Sequence, residues 1–283
     1  MITTTQRLPH SPNLARNAAR LAMAALAGTF LSACTVGNSG EAFRIDRAQG
    51  QSGNIDSLTA AIRRSPDDPE AYNIRGQAFT RAGKFKDARS DFDRAIELNA
   101  RYHQAFANRA VAKRALGDPV GAVEDYNTAL RLDPRYDTAL IGRGEIYRRA
   151  GRLDEALGDF NAAIRLDTTN PRAFARRGLI YQVRGDHRRA IEDFSTAISL
   201  SPDVPQGYNG RGLSYAALGD LDNAFDDFNA ALRIDNSIAE SWANQAFIYE
   251  KRGERAKAAK AYARAVQLDP NYRPAKDGLA RTR

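Results

Sequence analysis

The stretch "DTALIGRGEIYRRAGRLDEALGDFNAAIRLDTTN", residues 137 to 170, decides the fold. In its first half Leu140, Ile146 and Tyr147 give a helix an apolar face that includes Gly144. Gly151 ends that helix, because glycine takes the left-handed conformation of a helix cap without a steric penalty. A second helical run follows, with Ala156, Phe160 and Ala163 spaced four and three apart. Two short amphipathic helices of this kind cannot bury their apolar faces alone. They need neighbours.

The neighbours are copies of the same unit. Gly83, Gly117, Gly151, Gly185, Gly219 and Gly253 recur every 34 residues, as do Ala88, Ala122, Ala156, Ala190, Ala224 and Ala258. Phe92, Tyr126, Phe160, Phe194, Phe228 and Tyr262 form an aromatic column, and Ala95, Ala129, Ala163, Ala197, Ala231 and Ala265 a column of small residues. Six copies, 69–102, 103–136, 137–170, 171–204, 205–238 and 239–272, fill the chain from Pro69 to Tyr272. Asp118, Asp186 and Asp220 stand where a second helix begins and can accept from its free amide groups. Pro119 follows one such cap, and Pro134, Pro202 and Pro270 close their units.

This arrangement resembles the tetratricopeptide repeat (TPR). In the last copy the family's pattern reads Trp242, Ala246, Tyr249, Ala258, Tyr262, Ala265 and Pro270. Lys113 departs from it where an aromatic residue is expected, and Ala100, Thr168 and Asn236 stand in place of proline. The resemblance implies an all-α solenoid of antiparallel helix pairs, wound as a right-handed superhelix, with a concave groove lined by first helices. Residues 54–68 read as a lone second helix, a half-repeat with Ala61 and Pro66 in register. Residues 273–283 have few apolar side chains, as a terminal cap with one wet face requires.

One column departs from the family. Arg75, Arg109, Arg143, Arg177 and Arg211 occupy a first-helix position where leucine is usual, and Asp91, Asp125, Asp159, Asp193 and Asp227 precede the aromatic of the second helix. In the sixth copy both change together, to Gln245 and Ala261. Antiparallel helices hinged at the glycine bring the two columns face to face, which predicts a structural ion pair inside each of the first five repeats.

Catalytic chemistry is not expected. The three histidines, His10, His103 and His187, are scattered, so they assemble neither a metal cluster nor a nucleophile with its base. No cofactor or metal is predicted, and the reading is not that of an enzyme. The groove columns used by the family hold Asn73, Ala107, Asn108, Val111, Ile141, Ala175, Arg176, Leu179, Asn209, Leu213, Ala243, Asn244 and Phe247. This apolar lining with asparagines interspersed suits a peptide or an amphipathic helix. The alternative for each position is packing between neighbouring repeats. The Lys/Asn/Arg clamp of chaperone-binding relatives is absent.

Composition agrees with a folded soluble array, at 43% hydrophobic, 27% charged and 8% aromatic residues. The formal charge is +8, of which Arg7, Arg16 and Arg20 near the start of the chain supply three, and nucleic acid is not an expected partner. Arg114, Arg148, Arg149, Arg172 and Arg176 form either a basic edge near the groove, suited to acidic segments or anionic lipid heads, or evenly solvated helix faces.

The beginning of the chain reads differently. Arg16 and Arg20 precede "LAMAALAGTFLSA", residues 21 to 33, an uncharged apolar run too short to span a bilayer and typical of an export signal. Leu31, Ser32, Ala33 and Cys34, the only cysteine, resemble the bacterial lipobox. That resemblance implies a signal peptide over 1–33, cleavage before Cys34, and a covalent lipid on its thiol and new amine. Residues 34–53, rich in Gly, Ser and charge, read as a flexible lipidated tether. A chain of this length has a root-mean-square span of roughly 22 to 26 Å. Loss of the leader with Arg7, Arg16 and Arg20 lowers the formal charge to +5. The whole resembles envelope TPR lipoproteins of the new lipoprotein I and pilotin types. It implies a scaffold that docks cell-wall hydrolases or proteases, or an assembly factor for a secretion or pilus subunit. Thr35 after the cysteine resembles the outer-membrane sorting choice, which points to the periplasmic face of that membrane. The sequence specifies neither partner identity nor oligomeric state.

Overall fold

The computed structural model describes residues 52–282. The expected signal peptide, Cys34 and the tether through residue 51 lie outside the described residues. Every described element is helical, with no strand among the described residues. A lone α1 (Ser52–Arg64) is followed by six pairs: α2 (Pro69–Arg81) with α3 (Phe85–Leu98), α4 (His103–Ala115) with α5 (Pro119–Leu132), α6 (Asp137–Arg149) with α7 (Leu153–Leu166), α8 (Pro171–Val183) with α9 (His187–Leu200), α10 (Pro205–Ala217) with α11 (Leu221–Ile234), and α12 (Ala239–Lys251) with α13 (Arg255–Leu268). A last helix, α14 (Arg273–Thr282), closes the array.

Local chemistry sets the helix ends. Gly151 has φ 75°, and the five equivalent glycines lie between 72° and 86°. There the amide of Gly151 donates to the Arg148 carbonyl at 3.1 Å and that of Arg152 to the Tyr147 carbonyl at 2.9 Å, the bond pattern of a glycine-terminated helix. Asp118, Asp186 and Asp220 each accept an amide hydrogen bond from the first turn of the following helix. The linkers between units share one side-chain turn, with or without the closing proline. Asn99, Asp167 and Asp235 accept from the amide two residues on, at 2.8 to 2.9 Å, across Ala100, Thr168 and Asn236, and Asp133 and Asp269 do the same across Pro134 and Pro270.

The aromatic column is the core. Phe92, Phe160, Phe194 and Phe228 are at most 1% exposed, and Tyr126 and Tyr262 are 2% exposed. Each ring is wedged between helices, and small residues make the space. A Cβ on Gly142 would come within 2.3 Å of the Tyr126 ring from the preceding repeat, and one on Gly212 within 2.7 Å of Phe228. Burying such a ring contributes about 1.5 to 3 kcal/mol relative to leaving it exposed.

First helices of neighbouring repeats touch one another (α2 with α4, through α10 with α12), whereas second helices of neighbouring repeats do not. The stack therefore curves with the first helices inside. α14 packs on α13 and α12 as the first helix of a further repeat would. It buries Ala275, Gly278 and Thr282, and Arg281 pairs with Glu250 at 2.9 Å. Among the described residues no helix is long and apolar enough to cross a membrane.

Candidate functional site on the inner face

The five arginines meet the five aspartates in a common geometry. In repeat three Arg143 donates from Nε to Asp159 Oδ2 at 2.9 Å and from Nη2 to Oδ1 at 2.6 Å. Arg75 with Asp91, Arg109 with Asp125, Arg177 with Asp193 and Arg211 with Asp227 repeat this fork at 2.7 to 2.9 Å. These hydrogen bonds outweigh the cost of burial and raise all five arginines above their ordinary value. The third donor, Nη1, reaches back to the preceding second helix: Thr59, Asp93, Asn127, Asn161 and Ser195 accept in turn. Each arginine thus ties its own helix pair to the repeat before it. Lys113, the departure from the aromatic pattern, places a second cation 3.0 Å from Asp125.

The inner face differs from the expected lining. Asn73, Ala107, Ile141, Asn209 and Ala243 are buried, at 2 to 5% exposure, and of these only Asn209 borders a pocket. They belong to one column with a 34-residue spacing, pinched where adjacent repeats pack; its remaining member, Ala175, is half-buried. Asn73 donates to Tyr102 Oη at 3.1 Å at the end of its own repeat and accepts from Asn108 of the next at 2.9 Å, and Asn209 donates to Ser241 of the following repeat at 2.7 Å. Asn108, Val111, Ala175, Arg176, Leu179 and Asn244 are half-buried, and Leu213 and Phe247 are exposed at 39% and 38%.

Five of the expected groove residues come together. Ala175, Arg176, Leu179, Asn209 and Leu213 line a cavity of about 420 Å³ between α8 and α10, with Phe194 and Ala197 of α9 behind it. Its floor is aliphatic. Arg172 and Arg176 stand on its wall, and Glu240 is the one acid that lines it.

Sequence reasoning missed Glu145, which sits beside this pocket and is only 4% exposed. Arg148 donates to both of its carboxylate oxygens at 2.9 Å, Arg149 donates to Oε1 at 2.8 Å, and Arg176 approaches Oε2 at 3.7 Å. Burial alone would raise its pKa, but the hydrogen bonds from Arg148 and Arg149 and the charge of Arg176 prevail and hold it at about 2. Arg176 moves the other way. Burial holds it below the ordinary arginine value, and the pull of Glu145 is opposed by Arg148, Arg172 and Arg149. One carboxylate gathers three of the five arginines of the expected basic edge, Arg148, Arg149 and Arg176, and cannot neutralise them all. The signal was present in sequence as a lone glutamate, Glu145, in the register of Val111, Leu179, Leu213 and Phe247.

Among the described residues no three His, Cys, Asp or Glu side chains gather closely enough to hold a metal ion. An apolar pocket with a charged wall on the inside of a helix-pair stack defines a protein- or peptide-binding scaffold. Family models of the tetratricopeptide repeat match residues 55–105, 107–171, 176–238 and 239–272, and the chain belongs to that family. No curated protein matches it in sequence.

Solved structures of similar shape include the Cut9 and Hcn1 hetero-tetramer of the APC/C, at a TM-score of 0.74 and 20% identity over 82% of this chain; the match spans about half, 47%, of that chain. PilW, described as a widely conserved type IV pilus biogenesis factor, is similar with a TM-score of 0.67 and 17% identity, covering 75% of this chain and 98% of its own. YrrB, a TPR protein with an unusual peptide-binding site, gives 0.53 and 25% identity, covering 67% and 97%.

Proposed function

We propose that this protein is a lipid-anchored adaptor of the bacterial cell envelope, which holds a partner polypeptide by an acidic, aliphatic segment in the pocket between α8 and α10. The observation that carries the binding reading is the pocket itself, an aliphatic floor of Ala175, Leu179 and Leu213 beside a surplus of arginine charge around Glu145. Apolar side chains gain affinity by leaving water, and carboxylates gain orientation from guanidinium forks. The anchor rests on the leader and Cys34 of the sequence, and the outer-membrane location on Thr35. A short tether would keep the folded array near the membrane, so the choice of partner would depend on place as well as chemistry.

The test is site-specific photocrosslinking in intact cells, with the probe at Leu213 and, as a control, at Val120 on a second helix, which is 71% exposed. Leu213 should yield a discrete adduct that is lost on Arg172→Glu with Arg176→Glu, and Val120 none. Equal adducts from both positions would refute the pocket. The adduct's identity separates a docked hydrolase or protease from a secretion or pilus subunit, the latter making the protein an assembly factor. Cys34→Ser should move the protein out of the membrane fraction; an unchanged distribution would refute the anchor.

A further inference from the structure

The sixth repeat keeps a frame whose contents have been removed. In repeat five the Arg211 guanidinium lies 5.9 Å from the Tyr208 ring and 6.0 Å from that of Tyr215, and forks onto Asp227. Arg75 and Arg177 are held between two rings in the same way. Repeat six retains the rings as Trp242 and Tyr249, but Gln245 replaces the arginine and Ala261 the aspartate. An open cleft of about 410 Å³ remains, walled by the two rings and floored by Gln245 and Ala261.

Gln245 preserves only part of the arginine's role. Its Nε2 donates to Asn229 at 2.6 Å, which maintains the link to the preceding repeat. Its other N–H has no acceptor among the described residues. The rim carries Lys257, Lys260 and Arg264 and no acid. Lys257 pairs with Glu254 and lies 5.5 Å from the Tyr249 ring centre, and Arg264 donates to the neutral Gln267 at 2.7 Å. Lys260 has no hydrogen-bond or ion-pair partner among the described residues. The same register position is Glu124, Glu192 and Asp226 in repeats two, four and five. The sign of the surface has been reversed where the buried pair was lost.

We propose that this cleft is a carboxylate-binding site that takes an aspartate or glutamate side chain from an acidic segment of a partner polypeptide. The preceding repeats already fit a carboxylate into this frame, and here the missing one comes from outside. Lys260 and Arg264 supply the charge that the arginine supplies elsewhere, and Gln245 offers a free donor at the floor. Lys260 and Arg264, neither paired with an acid among the described residues, repel a guanidinium or ammonium, so a ligand that restores the arginine is disfavoured. The site is separate from the inner-face pocket and stands or falls without it.

Trp242 is the only tryptophan in the chain, so its emission reads this cleft directly. The full chain is titrated with a short oligoglutamate peptide, with oligoglutamine as the neutral control, and affinity is checked by calorimetry. A saturable change with oligoglutamate alone, weakened about tenfold by Lys260→Glu with Arg264→Glu, is the expected result. Gln245→Arg with Ala261→Asp rebuilds the pair inside the cleft and should abolish calorimetric binding while circular dichroism is retained. Should that variant misfold, the two exposed charge reversals still decide the matter. Arg172→Glu with Arg176→Glu should leave the titration unchanged, which separates this site from the inner-face pocket. No saturable change, an equal response to oligoglutamine, binding that survives the rebuilt pair, or a response to phosphatidylglycerol vesicles without one to the peptide would each overturn the proposal.

Discussion

Arg143 with Asp159 and Arg176 with Glu145 are both arginine–carboxylate contacts on a nearly buried acid, yet they do opposite work. In the first, two parallel hydrogen bonds join one charge to one charge, and Asn127 accepts from the third nitrogen, Nη1, at 2.6 Å. Every nitrogen has a partner within the array and the charge is balanced. In the second, a single carboxylate faces Arg148, Arg149 and Arg176, and Arg176 also lines an aliphatic pocket. Charge balance, more than burial, separates the part that holds the array together from the part that can take hold of something else.

The comparison can be broken at its closed end first. Arg143→Leu leaves Asp159 buried without its partner and should cost about 3 to 5 kcal/mol in denaturant unfolding. Adding Asp159→Leu should recover a large share of that loss; strictly additive losses would show that the pair is not a unit. Next in size is Gly142→Val, which drives a side chain into the Tyr126 ring and should cost about 1 to 3 kcal/mol by overpacking, read from the same unfolding curve. A stability equal to wild type would mean that the repeats slide freely past one another.

At the open end the effects are smaller and depend on pH. Glu145 titrates at about 2 when folded, below its ordinary value of 4.5, so the unfolded chain binds the proton more readily. Its contribution is complete above the ordinary value and is lost as pH falls through the window from about 5 to about 2. Glu145→Gln should flatten the acid limb of the stability profile in that window; an unchanged limb would place the acid sensitivity elsewhere. Smallest of all for stability, Arg172→Glu, at an exposed site on the pocket wall, should shift it by little more than about 0.5 kcal/mol. The same variant should still weaken crosslinking from Leu213, a split between folding and binding that the paired arginines cannot show.

Much of this was readable one residue at a time. The glycines with positive φ, the aromatic column and the arginine–aspartate register follow from a 34-residue period, because the two helices and the turn between them are local. The inner face was only half legible. Asn73, Ala107, Ile141, Asn209 and Ala243 share the composition of a groove lining, and only the closeness of neighbouring first helices puts them inside. The third donor of each arginine escaped notice for a related reason, since its acceptor lies sixteen residues back in a different repeat.

By itself the sequence determined that this chain is an array of helix pairs, where each helix stops, and that a charged pair replaces leucine in five units and is missing from the sixth. Tertiary structure decided what those features expose. It buried most of one asparagine-bearing column, gathered three arginines around Glu145 beside a pocket, and left an open cleft where Gln245 and Ala261 replace a pair. The physical reason is that helix formation and capping are settled within a turn or two of chain, whereas exposure depends on how closely the next repeat approaches.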